Sequence, residues 1–173
     1  MFIIPSYKHF ADYFSMGLSL NICSQAEVII WADSLIQEID YPSIWIIDLS
    51  TSKSKSKKDV LLTLNSVSGR RNAEISFRLL IAKLALVKPN LVLQNNRFFS
   101  AEDSKLFSQL HFLVREYKDM PDEIRGVIFS IYINMDFVEE DYLSGSEIKQ
   151  DYQELLLAGK NHRAFVEKYS RSN

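Results

Sequence analysis

Asn72-Ala73-Glu74-Ile75-Ser76-Phe77-Arg78-Leu79-Leu80-Ile81-Ala82-Lys83-Leu84-Ala85-Leu86-Val87-Lys88-Pro89 is the stretch on which the fold turns. Asn72 is suited to accept a free amide of a helix's first turn, and Pro89, which has no amide hydrogen, marks a stop. Between them Ile75, Leu79, Ala82 and Leu86 recur at three- and four-residue spacing, the period of one helical face. A helix over 73–87 with that stripe turned to a core is expected.

The same signals recur on both sides. Upstream, Pro5 and Ser6 open a segment in which Phe10, Phe14 and Leu18 fall at i, i+4 and i+8, a helix ending near Leu20. Ser24-Gln25-Ala26-Glu27 reads as a capping box, in which the serine hydroxyl takes an amide of the first turn and the glutamate reaches back. Val28, Trp31, Leu35 and Ile39 follow as its apolar face, which must stop before Pro42. Val60, Leu61, Leu64 and Val67 form another face, with Ser56 or a neighbour as cap and Gly69 placed to end the helix in the left-handed conformation.

Downstream, Ser100 opens a helix with Glu102 and Asp103 in its first turn and Leu106, Leu110, Leu113 and Tyr117 along it. Pro121-Asp122-Glu123 repeats that opening. Ser144-Gly145-Ser146-Glu147 is a second capping box, leading a helix to Gly159, and Asn161 is placed to cap a last short helix to about Tyr169.

Two segments leave helix and strand open. Residues 44–48 are short and β-branched, yet Pro42 suits the first turn of a short helix, which is the favoured reading. Residues 127–133 are β-branched and aromatic, so a strand stands beside the helix there too. Residues 50–58 contain no apolar member and read as a solvated loop. The expectation is an all-α single domain over 1–173, with seven to eight amphipathic helices packed as antiparallel pairs.

Composition agrees with that expectation. Hydrophobic residues make up 47% of 173 and charged residues 24%, enough apolar surface for one core. No apolar run approaches the roughly 20 residues of a membrane helix, and no membrane association is expected. Residues 1–5 lack a basic region before an apolar stretch, so no secretory leader is expected. Cys23 is alone and cannot staple the fold, which fits a reducing cytoplasm.

Candidate chemistry is sparse. His9, His111 and His162 are isolated, with no His-Glu-x-x-His zinc helix and no glycine-rich phosphate loop. No catalytic, cofactor-binding or metal-ligating residue is assigned, and the chain reads as a non-enzyme. Val67-Ser68-Gly69-Arg70-Arg71-Asn72 admits two readings, a phosphate cradle beside a helix N-terminus or a glycine stop followed by an asparagine cap. Lys53, Lys55, Lys57 and Lys58 likewise suit phosphates or merely solubilise a loop. They lack interleaved aromatics, so no direct nucleic-acid contact is expected.

The distribution of charge is the least ordinary feature. The net charge is -2, but residues 119–154 carry ten acids against Arg125 and Lys149, a local -8 that leaves about +6 elsewhere. Asp136, Glu139 and Glu140 place like charges at i+3 and i+4, and Glu140 and Asp141 fall near the unfavourable end of a helix dipole. Glu147, Asp151 and Glu154 fall at i, i+4 and i+7 beside an apolar row of Ile148, Tyr152 and Leu155. This is either a solvated face or a surface that captures a basic protein. On the second reading the contacts are Asp122, Glu123, Asp136, Glu139, Glu140, Asp141, Tyr142, Glu147, Asp151, Tyr152 and Glu154, with the two tyrosines as anchors.

Within the segment 11–69, Glu27-Val28-Ile29-Ile30-Trp31-Ala32-Asp33-Ser34-Leu35-Ile36, Tyr41-Pro42-Ser43-Ile44-Trp45-Ile46-Ile47-Asp48-Leu49-Ser50 and Asp59-Val60-Leu61-Leu62-Thr63-Leu64 stand in order. This pattern resembles the small immunity proteins of bacterial contact-dependent growth inhibition, over about a third of the chain. The resemblance implies an inhibitor that binds a cognate toxin one to one and occludes its active site, the toxin being typically a nuclease with a basic cleft. It carries no catalytic residues, and implies Trp31 as core and Asp33 as solvated or bonded to a neighbouring loop. A helical adaptor or scaffold of unrelated purpose is the competing reading.

Overall fold

The structure, a computed structural model, describes residues 4–91, 93–94, 98–139 and 145–170. Among them the chain forms α1 (Tyr7–Ser19), α2 (Gln25–Glu38), α3 (Ile44–Ser50), α4 (Lys57–Ser66), α5 (Ala73–Val87), α6 (Ala101–Glu116), α7 (Asp122–Glu139), α8 (Gly145–Ala158) and α9 (Arg163–Ser170). Two-residue segments β1 (Leu93–Gln94) and β2 (Phe98–Phe99) pair antiparallel, Leu93 opposite Phe99. The fold is all-α, as the periodicity requires, with nine helices among the described residues rather than seven or eight. Both ambiguous segments are helical, 44–48 within α3 and 127–133 within α7.

Local caps set most of the boundaries. Ser6, Ser24, Ser56, Asn72 and Ser100 each accept an amide of the following first turn. At Ser24 and Ser56 the third helical residue, Glu27 or Asp59, reaches back to close the box. At Ser6 that role falls to His9, whose Nδ1 accepts the Ser6 amide at 3.0 Å. Ser144, the expected cap of α8, lies outside the described residues.

Three expectations are corrected. Gly69 does not end α4, which closes at Ser66; its φ of +141° serves the connection to α5, where an added β-carbon would crowd the Lys8 side chain at 2.9 Å. The end of α1 uses the left-handed conformation instead, at Asn21 (φ 58°), and the amides of Ile22 and Cys23 fold back on the Gly17 carbonyl. Residues 50–58 are not wholly solvated, because a 3-10 turn at Ser52–Ser54 buries Ser52 and offers its carbonyl to Gln25. Asn161 sits inside a second 3-10 turn, Lys160–His162, that leads into α9.

α5 lies at the centre of the fold. Apolar residues occupy too much of its circumference to leave a polar face, and Ile75, Phe77, Leu79, Leu80, Ile81, Ala82 and Leu84 are all buried. Helices α1, α8 and α9 pack on it, while consecutive pairs α2–α3, α6–α7 and α7–α8 pack across their short connections. The expected stripe of one amphipathic face is therefore only part of the buried surface, and Leu86, counted in it, is half-buried.

Trp31 on α2 is fully buried among Phe10, Phe14 and Trp45, with ring centroids 5.2–6.0 Å away. That aromatic group joins α1, α2 and α3, and belongs to one continuous core extending through α9. Asp33 accepts the Ser50 hydroxyl at the surface.

Candidate functional site

The acidic residues expected to meet a partner fall at both ends of α7 and along α8. Asp122 and Glu123 occupy the first turn of α7, where the helix dipole favours them, and both are exposed. Glu123 is already engaged: it accepts Nη2 of Arg78 at 3.0 Å, while Arg78 also holds Glu74 and the Ala158 carbonyl, each at 3.0 Å. Arg78 thereby ties α5 to the start of α7 and the end of α8. Asp122 stands 3.9 Å from Nε of Arg125.

Asp136 and Glu139 lie in the last turns of α7, their side chains outside the described set. Glu140, Asp141 and Tyr142 fall outside the described residues. On α8, Glu147 and Glu154 are exposed, whereas Asp151 is half-buried and accepts the Ser130 hydroxyl at 3.0 Å, bonding α8 to α7.

Tyr152 is a correction. Its side chain is fully buried against Phe107, and its hydroxyl donates to the Lys88 carbonyl. Burial pushes its phenol up from the ordinary range, with Asp103 adding to the shift. Its position in the row with Ile148 and Leu155 decides the matter: the face that packs on α5 claims it, and no partner can reach it.

The reactive groups are dispersed. Cys23 is buried, its thiol donating to the Tyr13 hydroxyl at 3.3 Å, and burial pushes the thiol up to about 12. A thiol so protonated is a poor nucleophile. Burial lowers the His9 imidazole, with Asp12 opposing the shift, and lowers His162, where Arg78 adds to the effect. His111 on α6 stacks on Tyr132 of α7 at 4.4 Å. Among the described residues no three His, Cys, Asp or Glu side chains are gathered to hold a metal ion.

A cleft of about 750 Å³ opens where α1 and α5 begin and is lined by Lys8, His9, Arg70, Arg71, Asn72, Glu74 and Asp119 among others. It contains the stretch for which a phosphate cradle was one of two readings. Two of its cations share one carboxylate: buried Lys8 pairs with Asp12 at 2.9 Å, and Arg71 approaches the same group at 3.8 Å. The lysine cluster is also partly engaged, Lys55 with Asp48 at 3.3 Å and Lys57 with Asn21 at 2.8 Å.

Three features went unread in the sequence. The buried pair of Lys83 with Glu27 gives no local signal, because its partners lie on different helices. Tyr41 and Ile44 are 93% and 79% exposed at the start of α3, although β-branched and aromatic residues suggest core. A groove of about 460 Å³ between α6 and α7 is lined by His111, Val114, Arg115, Asp122, Arg125, Gly126 and Phe129.

No helix among the described residues is long and apolar enough to cross a membrane. No family model, no curated protein and no solved structure matches the chain.

Proposed function

We propose that this chain is an immunity protein that binds a cognate bacterial toxin one to one and neutralises it by covering its active site. The toxin on this reading is a nuclease with a basic, substrate-binding cleft. The supporting observation is the segregation of charge onto α7 and α8, where Asp122, Glu147 and Glu154 are exposed within a segment of net charge -8. A negative surface of this kind speeds the capture of a basic partner and weakens as salt screens it. The protein's task is occupancy, and it needs no reacting group of its own.

Co-expression with the protein encoded immediately upstream of this chain tests the reading. A stoichiometric complex and rescue of cells from that protein's C-terminal domain are the expected results. Failure of both rejects it.

A helical adaptor is the second reading, favoured by the exposed apolar row of Tyr41, Ile44 and Ile47 on and before α3. On that reading Ile44→Asp abolishes partner capture, whereas charge reversal on α8 leaves it unchanged.

A further inference from the structure

α3 is short, and both of its sides are apolar. Ile46 and Leu49 are buried in the core, and the Trp45 ring lies 5.7 Å from that of Trp31, so the helix is pinned along its inner side. On the outer side Ile44 and Ile47, one turn apart, are 79% and 46% exposed. Tyr41, three residues before Ile44, is 93% exposed. Tyr7 at the start of α1 extends the face: it is exposed, and its ring lies 6.4 Å from that of Trp45.

Single exposed apolar residues are ordinary on a protein surface, but a cluster of large ones marks a place where another surface is met. Fraying does not account for the cluster, because Ile46 and Leu49, interleaved with Ile47 along the helix, stay buried.

Charge selects the occupant. Residues 33–48 contain Asp33, Glu38, Asp40 and Asp48 and no Lys or Arg. Two of the four are matched from elsewhere in the fold, Glu38 by Lys168 at 3.2 Å and Asp48 by Lys55 at 3.3 Å. Asp33 and Asp40 are exposed, and among the described residues neither takes part in an ion pair; Asp33 accepts the Ser50 hydroxyl. An apolar centre beside carboxylates that lack a cation is complementary to a basic surface with an apolar centre of its own, and it repels an acidic one.

We infer that the outer face of α3, with Tyr41, Ile44 and Ile47 at its centre, is the seat of the toxin, and that Asp33 and Asp40 receive Lys or Arg side chains around the toxin's apolar contact. The inference rests on the immunity reading above and specifies where the partner is held. Two surfaces then act at different stages. The acids of α7 and α8 act at long range on the rate of encounter, whereas the α3 face acts at contact on the rate of dissociation. Tyr41 is the principal anchor, since a tyrosine joins a large apolar ring to a hydroxyl with few rotatable bonds.

The test measures binding of the full chain to the purified C-terminal domain of the upstream-encoded protein by surface plasmon resonance. Wild type is compared with Tyr41→Ala, Ile44→Asp, Asp40→Lys and Leu157→Ala, each checked for folding by circular dichroism and thermal melting. All four positions are exposed, so the variants are expected to melt as wild type does. Tyr41→Ala and Ile44→Asp are expected to raise the dissociation constant about tenfold or more, mainly through faster dissociation. Asp40→Lys is expected to weaken binding at low salt and less so at high salt. Leu157, on α8 and 64% exposed, serves as the control, and its variant is expected to bind as wild type does. Wild-type binding with undiminished binding by Tyr41→Ala and Ile44→Asp overturns the seat and leaves the immunity reading standing, as does an equal loss in Leu157→Ala. Losses at Tyr41 and Ile44 with no effect of Asp40→Lys overturn the basic character of the occupant. No binding by wild type, with no rescue in cells, overturns both the seat and the immunity reading.

Discussion

The ammonium of Lys83 on α5 and the carboxylate of Glu27 on α2 form an ion pair with both side chains almost wholly buried. Each has a further partner: Lys83 donates to the Ser170 hydroxyl at 3.0 Å, and Glu27 accepts the Ser24 amide at 2.8 Å. One pair thus fixes the central helix to the cap of α2 and the end of α9. Removing Lys83 leaves a buried carboxylate without its counter-charge. Lys83→Met is expected to cost about 3–5 kcal/mol, and adding Glu27→Gln to recover part of that loss. Urea unfolding of the single and double variants measures the coupling; additive losses would show that the pair contributes nothing beyond its separate members.

Trp31 fills the junction of α1, α2 and α3. Trp31→Ala is expected to destabilise by about 3–5 kcal/mol, since the surrounding rings cannot collapse into the space. Chemical denaturation checks this, and a loss below about 1 kcal/mol is incompatible with a tightly packed site.

Tyr152→Phe separates structure from binding. It keeps the packing against Phe107 but leaves the Lys88 carbonyl without its donor, at an expected cost of about 1–2 kcal/mol. Partner affinity, read by calorimetry below the melting range, is expected to remain unchanged. A large loss of affinity with stability intact would return Tyr152 to the interface.

His9 gives stability a pH dependence of definite sign. Burial lowers its folded-state pKa below the ordinary 6.5. As pH falls through that value the unfolded chain takes up the proton first, so stability is full above about pH 7 and declines below it. His162 shifts in the same direction and adds to the decline. His9→Gln keeps an acceptor for the Ser6 amide and removes one titration. Melting temperatures measured from pH 8 to pH 5 are expected to fall less steeply for that variant than for wild type; an equal slope would exclude His9 as a contributor.

Charge reversal on α8 probes the acidic face directly. Glu154→Lys is expected to slow association with the upstream-encoded domain while leaving helicity unchanged, because the residue is exposed and lies away from the α8 first turn. Stopped-flow association at low and high salt measures it, and an unaltered rate and salt dependence would mark the face as solvated surface only.

The sequence by itself determined most of the helices, leaving α3 and α7 open to a strand reading. Ser24, Ser56, Asn72 and Ser100 act on amides three residues away, and Pro42 and Pro89 act on their immediate neighbours, so caps and stops are legible without knowing what lies across the fold. Charge segregation was equally legible, because it is a property of composition. The tertiary structure alone decided which apolar face meets which neighbour. It buried most of α5, drew Tyr152 inward although acids flank it, and left Tyr41 and Ile44 in solvent although their chemistry suits a core. The same holds for Lys83 with Glu27, 56 residues apart, and for the open space over Gly126. Periodicity states that a residue shares a face with others. Burial depends on the element packed against that face, and that element comes from a distant part of the chain.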